Sequence, residues 1–334
     1  MFLFGQQLIN DNIIYDGNNR EYIVYIPQSY SGNNPEPILF ALHGGSGYAN
    51  DFMNYEADFR SISDTAGFIL VYPQALEDPN DGNSTNWMHK EPTNHNDIFF
   101  IEAIIDELSS SYSIDNERIY VCGYSLGGIF SYELACKLNN RITAISAVAG
   151  ASFLGAYNSC NISHPTAVLS IPGTNDQIHP YNDVNGWYYS VAEINNFWSS
   201  INNTNSTPII TQLPNLNTFD GSTVERHSWL DGDGCVGVEE LKIINGGHDW
   251  PSPNNSWGNQ DIDANIEIWD FLSKYDMNGL INCNSNSENQ FEFTNDKSLV
   301  KIVDVLGRKS EKKKNQLLFY IYDDGSSEIR VYID

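Results

Sequence analysis

The chain has 334 residues, 41% hydrophobic and 13% aromatic, enough to bury a large core. It carries 43 acidic against 17 basic residues, a formal net charge of -26, which repels nucleic-acid phosphates and anionic lipid and makes both poor partners. No apolar run reaches the ~18 residues of a membrane-spanning helix.

In chain order, the opening MFLFGQQ lacks a positive region and is too short for a leader peptide. It fits an ordinary terminus and the last piece of a trimmed leader equally well, and residues 1–19 are set apart as an N-terminal segment. The runs Tyr22–Ile26, Ile38–Leu42, Phe68–Tyr72, Ile119–Gly123, Ile142–Val148, Ala167–Ile171 and Leu241–Ile244 read as strands. Several are apolar throughout, as strands buried on both faces are. Asp97–Ser111 has apolar residues at helical spacing (Ile98, Ile101, Ile105, Leu108) with Asp97 placed as N-cap. Ser125–Leu138, Tyr189–Ile201 and Asp263–Tyr275 read as further helices. The alternation predicts an α/β domain over residues 20–275, with a mostly parallel central sheet flanked by helices.

After Tyr275 the texture changes. Residues 276–290 are rich in Asn and Ser and read as a linker. Residues 291–334 hold the strand-like runs Leu299–Val305, Leu317–Tyr322 and Ile329–Ile333, a small all-β module. This module has 8 basic and 8 acidic residues, so residues 1–290 carry the whole net charge. Two modules with different roles are expected.

The run Ile119–Gly128 contains G-x-S-x-G as Gly123, Ser125 and Gly127. An apolar strand leads in and a helical pattern leads out, the setting in which a sharp turn lifts a serine hydroxyl above a sheet. Partners are expected in the order acid, then histidine. Asp176 follows the strand Ala167–Ile171, and His248 follows Leu241–Ile244 through Asn245-Gly246-Gly247. In this pattern His248 takes the Ser125 proton while Asp176 holds the imidazole. Asp183 and Asp220 are alternative acids without a strand leading in, and Asn175, being uncharged, would hold an imidazolium less well. His179 lies only three residues beyond Asp176, His227 has no strand before it, and His89, His95 and His164 break the chain order. The backbone N–H groups of Leu126 and of Gly45, in the loop His43-Gly44-Gly45-Ser46-Gly47, are the expected oxyanion donors. His43 reads as a structural hydrogen-bonder.

Five cysteines are present without a CxxC pair, and no metal or other cofactor is expected. Cys122 and Cys136 lie in apolar runs and read as small buried hydrophobes. Cys160 and Cys235 lie in loops and are a candidate pair in an oxidising compartment. Asp231-Gly232-Asp233-Gly234 lacks the later Gly and Glu of a calcium loop and reads as a turn.

With these motifs in place, residues 20–275 resemble the polyhydroxybutyrate-depolymerase/feruloyl-esterase group of α/β hydrolases. The resemblance rests on His43–Gly45, Val71–Pro73, Asn96-Asp97, Ile114–Gly128, Ala147–Gly150, Gly173–Asp176 with Pro180-Tyr181, and Gly246–Pro251. It implies the α/β-hydrolase fold and secreted, cofactor-free hydrolysis of carboxylic esters, with Ser125, Asp176 and His248 as triad. Two positions depart from it. His179 stands where members often carry an apolar residue. Asn202-Asn203 stand where relatives often have a cysteine able to pair with one near Cys235.

The tail resembles the C-terminal sorting domain of the Bacteroidetes type IX secretion system, through Leu299–Arg308 and Phe319–Asp334. That implies the type IX machinery as a partner, and release or display at the cell surface. The competing reading, a polymer-binding β module, lacks a row of aromatics suited to sugar stacking.

Trp87, Tyr124, Tyr181, Trp187 and Trp250, with Tyr188 and Trp257, are expected to line a cleft for a phenolic acyl group or a polymer segment. The expected substrates are feruloyl or acetyl esters of polysaccharides, or a polyester such as polyhydroxybutyrate. A prolyl-oligopeptidase-type peptidase shares fold and triad, but this chain has no room for the propeller such enzymes carry. A non-catalytic binding protein would have no need of an intact Ser, Asp and His set.

Overall fold

In strand Glu36–Leu42, Ile38, Phe40 and Leu42 face one apolar cluster while Leu39 and Ala41 face another. Successive side chains of a strand point to opposite faces, so such a run is stable only with a layer packed on each side. The computed structural model describes residues 6–87, 96–182, 186–283, 299–304, 308–310, 317–322 and 327–331. The chain divides into two compact units, Met1–Ser285 and Asn286–Asp334.

In the first unit ten strands form one sheet. They are β1 (Gln7–Tyr15), β2 (Asn18–Ile26), β3 (Glu36–Leu42), β4 (Ile69–Pro73), β5 (Ile114–Tyr124), β6 (Ala144–Val148), β7 (Ala167–Ile171), β8 (Ile209–Gln212), β9 (Thr223–Trp229) and β10 (Val238–Ile244). Their order across the sheet is β1-β2-β4-β3-β5-β6-β7-β10-β9-β8. Strands β4, β3, β5, β6, β7 and β10 run parallel. Antiparallel pairs finish the two edges, β1–β2 on one and β9–β8 on the other. Helices α1 (Ala49–Tyr55), α2 (Arg60–Ala66), α3 (Asn96–Ser111), α4 (Leu126–Lys137), α5 (Val191–Ile201) and α6 (Ala264–Leu272) cover the faces. Residues of α3, α4 and α5 join the cluster around Phe40 and Val121, and those of α1 and α6 join the cluster around Leu39 and Tyr120.

Several expectations change. Residues 7–19 are not merely a lead-in segment, because β1 pairs with β2 along nine residues. Asp97 lies inside α3 rather than ahead of it, and its carboxylate is taken by Arg20 at 2.6 Å, with both side chains buried. Helix α6 stops at Leu272, and Tyr275-Asp276 instead pairs with Gly279-Leu280. Cys160 does not pair with Cys235. The bonds are Cys136–Cys160 and Cys235–Cys283, with Cα–Cα separations of 4.4 and 5.7 Å. Cys136 is therefore not a lone hydrophobe. It ties the last turn of α4 to the 156–160 loop, while Cys122 stays a buried free thiol.

The second unit contains β11 (Leu299–Asp304), β12 (Leu317–Tyr322) and β13 (Ser327–Val331), an antiparallel three-stranded sheet. Val303, Leu318 and Tyr320 are buried in it. Residues 305–307 of the sorting-like motif lie outside the described residues, as do residues 284–290 of the expected linker.

The bond to Cys283 places the useful cut after residue 285. A chain ending at Ser285 is expected to unfold in one cooperative transition. One ending at Asp276 loses the Cys235–Cys283 closure, which spans 48 residues, and should be less stable by about 2–4 kcal/mol in a denaturant melt.

Candidate active site

Ser125 occupies the single residue between β5 and α4, with φ 54° and ψ -117°. Its N–H donates to the Val148 carbonyl at 2.9 Å, and its carbonyl accepts from Ile129 N–H at 3.0 Å as the helix begins. The flanking glycines are required by contact. A Cβ on Gly123 would lie 2.2 Å from the Gly127 carbonyl oxygen, and one on Gly127 would lie 2.2 Å from that of Leu42. Helix α4 thus starts directly against the end of β3, which no side chain permits.

Strands β7 and β10 are parallel neighbours, so they end at the same rim of the sheet. Their ladder continues past the strand ends. Thr174 N–H donates to the Ile243 carbonyl at 2.9 Å and Asn175 N–H to the Gly246 carbonyl at 2.8 Å. This joins the loop carrying Asp176 to the loop carrying His248. His248 Nδ1 lies 2.7 Å from Asp176 Oδ2, and its Nε2 lies 2.8 Å from Ser125 Oγ. The other carboxylate oxygen of Asp176 accepts from the N–H groups of Ile178 and His179 at 2.8 and 2.9 Å. Tyr124 donates its hydroxyl to the His248 carbonyl at 2.9 Å. Ser125 and Asp176 are buried, while the His248 side chain keeps 18% of its surface exposed. A serine, a histidine that spans to a carboxylate, and adjacent backbone donors form the arrangement needed to activate a hydroxyl for acyl transfer.

The loop at residues 43–47 packs against the start of α4, where a Cβ on Gly45 would come 2.7 Å from Leu126 Cδ1. Leu126 is the first residue of α4, and first-turn N–H groups have no partner within their own helix. The loop is held on every side. Ser46 N–H donates to the Thr85 carbonyl, the Thr85 hydroxyl to the Gly47 carbonyl, and Trp87 Nε1–H to the His43 carbonyl at 2.8 Å. His43 donates from Nδ1 to the Gly44 carbonyl at 2.7 Å and accepts at Nε2 from Ala75 N–H at 3.1 Å. Burial pushes the His43 pKa down to about 4, so the ring is neutral and structural.

Two of the expected substrate aromatics belong to the core instead. Trp87 is fully buried, stacked on Phe130, and anchors the 43–47 loop. Trp250 is 1% exposed and packs edge-on against Phe52 and Phe59. Tyr124 acts on the His248 backbone, and Tyr181 donates its hydroxyl to buried Glu240. Trp187 and Trp257 remain exposed. Trp257 borders a cavity of about 340 Å³ with Asp220, Asn245, Asp249 and His248.

The remaining candidates are placed as follows. Asp220 is engaged by the N–H groups of Ser222 and Gln260. His227 pairs with Glu225 on β9, and His164 bonds the carbonyls of Asn139 and Ile142. Asp183, His89 and His95 lie outside the described residues. Asp231 and Asp233 accept from Asn205 and Asn203, and no metal-holding cluster occurs among the described residues. His179, set aside as base by its sequence position, is nonetheless beside the site, its ring centroid 5.1 Å from that of His248.

No protein-family model matches the chain. The chain is 27% identical over 278 residues to a bifunctional acetylxylan esterase/xylanase of Neocallimastix patriciarum, covering 83% of this chain and 36% of that protein. It is 31% identical over 182 residues to a probable feruloyl esterase C of Aspergillus flavus, covering 53% of this chain and 62% of that protein. It therefore spans less than two thirds of the length of these relatives. Among solved structures, an acetyl xylan esterase from Aspergillus awamori superposes with a TM-score of 0.55 at 15% identity, over 81% of this chain and 99% of that one. A CE1 ferulic acid esterase from Anaeromyces mucronatus superposes at 0.52 and 16% identity, over 81% and 90%. The architecture is the α/β-hydrolase fold that these esterases share.

The buried and exposed tryptophans should separate by stability. Trp87→Ala and Trp250→Ala are each expected to lose about 3–5 kcal/mol in denaturant melts, and Trp187→Ala less than about 0.5. His43 titrates with the opposite sign to a paired histidine. Its pKa is near 4 folded and higher unfolded, so the unfolded chain binds the extra proton between those values. Stability should therefore fall as pH drops below about 6.5, losing on the order of 3 kcal/mol from this group by pH 4. His43→Gln should flatten that part of the stability–pH curve.

Proposed function

We propose that this chain is a serine carboxylic-ester hydrolase working through an acyl-enzyme. The observation that carries the reading is the unbroken hydrogen-bonded path from Ser125 through His248 to Asp176. Ser125 Oγ attacks the ester carbonyl as His248 Nε2 takes its proton, and Asp176 holds the resulting imidazolium. The N–H groups of Leu126 and Gly45 receive the oxyanion. Collapse expels the alcohol, protonated by His248, and leaves the acyl group on Ser125. Water, deprotonated by His248, then releases the acid and restores the serine.

The substrates we assign are acetyl or feruloyl esters of plant polysaccharides. The acetylxylan and feruloyl esterases among the relatives support this class. Exposed Trp187 and Trp257 offer flat faces for a phenolic or sugar ring. Both disulfides suit an oxidising compartment, which supports export, with residues 291–334 as the sorting signal.

Wild-type protein is expected to turn over p-nitrophenyl acetate, and Ser125→Ala to lose about 10³-fold or more in kcat. Acetylated xylan and methyl ferulate should be cleaved in preference to polyhydroxybutyrate and peptide anilides. No wild-type turnover, or full turnover by Ser125→Ala, would refute the mechanism.

A further inference from the structure

His179 is a buried histidine to which the proposed relay gives no task. Its surroundings are specific. The ring Nδ1 lies 2.7 Å from the Ala149 carbonyl oxygen. A carbonyl only accepts, so Nδ1 carries the hydrogen. One ring neighbour is His248, perpendicular at 5.1 Å, and another is Tyr188 at 5.0 Å.

Ala149 is an unusual residue for a side chain to hold. It directly follows β6 and has φ 45°, a conformation that residues with a Cβ adopt at a penalty of about 1–3 kcal/mol. Its N–H is bonded to the Ile171 carbonyl, which ties it to the end of β7. The carbonyl one residue earlier, Val148, accepts the Ser125 N–H. Adjacent carbonyls at the bent end of β6 are therefore divided between two tasks: one fixes the serine, and the other is fixed by His179. Gly150, next in sequence, packs its Cα against Gly128 of α4. The His179 ring thus holds the peptide against which both Ser125 and its helix are seated.

We infer that His179 is a positioning residue: its Nδ1–H holds the Ala149 peptide in place and, through it, Ser125, while its ring packs against that of His248. The inference rests on the Ser125–His248–Asp176 reading. Burial pushes the His179 pKa down and favours the neutral ring. Of the charged groups facing it, Asp176 opposes that shift and His248 reinforces it. A neutral ring places no like charge beside His248 when that residue takes up the serine proton.

Amide side chains separate this role from simple packing. Asn presents its N–H near the position of histidine Nδ1, whereas Gln presents its own near Nε2. Kinetics of the full chain on p-nitrophenyl acetate would be compared for His179→Asn, His179→Gln and His179→Leu, alongside thermal melts. We expect His179→Asn to stay within about 3-fold of wild-type kcat, and His179→Gln and His179→Leu to lose about 10- to 100-fold in kcat and kcat/KM together. Wild-type kcat in the Gln and Leu variants, equal impairment of Asn and Gln, or a loss confined to KM would overturn the inference. If leucine prevents folding, the Asn–Gln comparison decides, and unfolding of both amide variants would assign the residue to folding alone and also overturn it. The Ser125→Ala control stands apart. Activity retained there strikes at the relay itself, whatever the His179 variants do.

Discussion

A serine held at φ 54° and ψ -117° sits in backbone territory that disfavours a side chain by about 1–3 kcal/mol. The fold offsets this with the Ser125 N–H bond to Val148, the first helical bond of α4, and backbone contact between Gly127 and the end of β3. The restraints come in turn from β6, from α4 and from β3. The strained turn can exist only where β3, β5 and β6 lie side by side, and a site built on it inherits the rigidity of the whole sheet.

The same sheet sets the distance between acid and base. Asp176 and His248 are 72 residues apart in sequence, yet β7 and β10 are adjacent and parallel. Parallel neighbours deliver their C-terminal loops to one rim, and the bonds at Thr174 and Asn175 carry the pairing beyond the strands. The two loops are therefore fastened before either side chain reaches the other. This is how a 2.7 Å contact between side chains on two loops is kept without relying on the side chains themselves.

This logic also explains what was legible in the sequence. Strands buried on both faces announce themselves as apolar runs, and the glycines around Ser125 mark a backbone contact that no other residue allows. The edge pair was not legible, because β9 carries Glu225, Arg226, His227 and Ser228 and β8 is exposed along its length. Helices α1 and α2, at seven residues each, are too short to show a period. Trp87 and Trp250 read as cleft residues because a loop aromatic looks the same in sequence whether it faces solvent or core. Only the packing of Phe130, Phe52 and Phe59 decides. Disulfide partners depend likewise on where α4 ends in space. Sequence position set His179 aside as base, but could not reveal that the end of β6 turns its carbonyl toward that ring.

Three histidines crowd this corner of the molecule, and their environments divide the labour. His43 and His179 are each held by backbone carbonyls at Nδ1, and burial pushes both pKa values down. A proton taken up at His43 Nε2 would displace the Ala75 N–H, and one taken up by His179 would place a charge in a buried site. His248 differs. Its Nδ1 faces a carboxylate rather than a carbonyl, its Nε2 faces a hydroxyl, and part of its surface reaches solvent. A proton arriving on His248 meets an opposite charge 2.7 Å away, whereas on His43 or His179 the cost of burying the charge dominates. Under the proposed mechanism the proton rests on the one histidine of the three whose Nδ1 is bonded to a carboxylate.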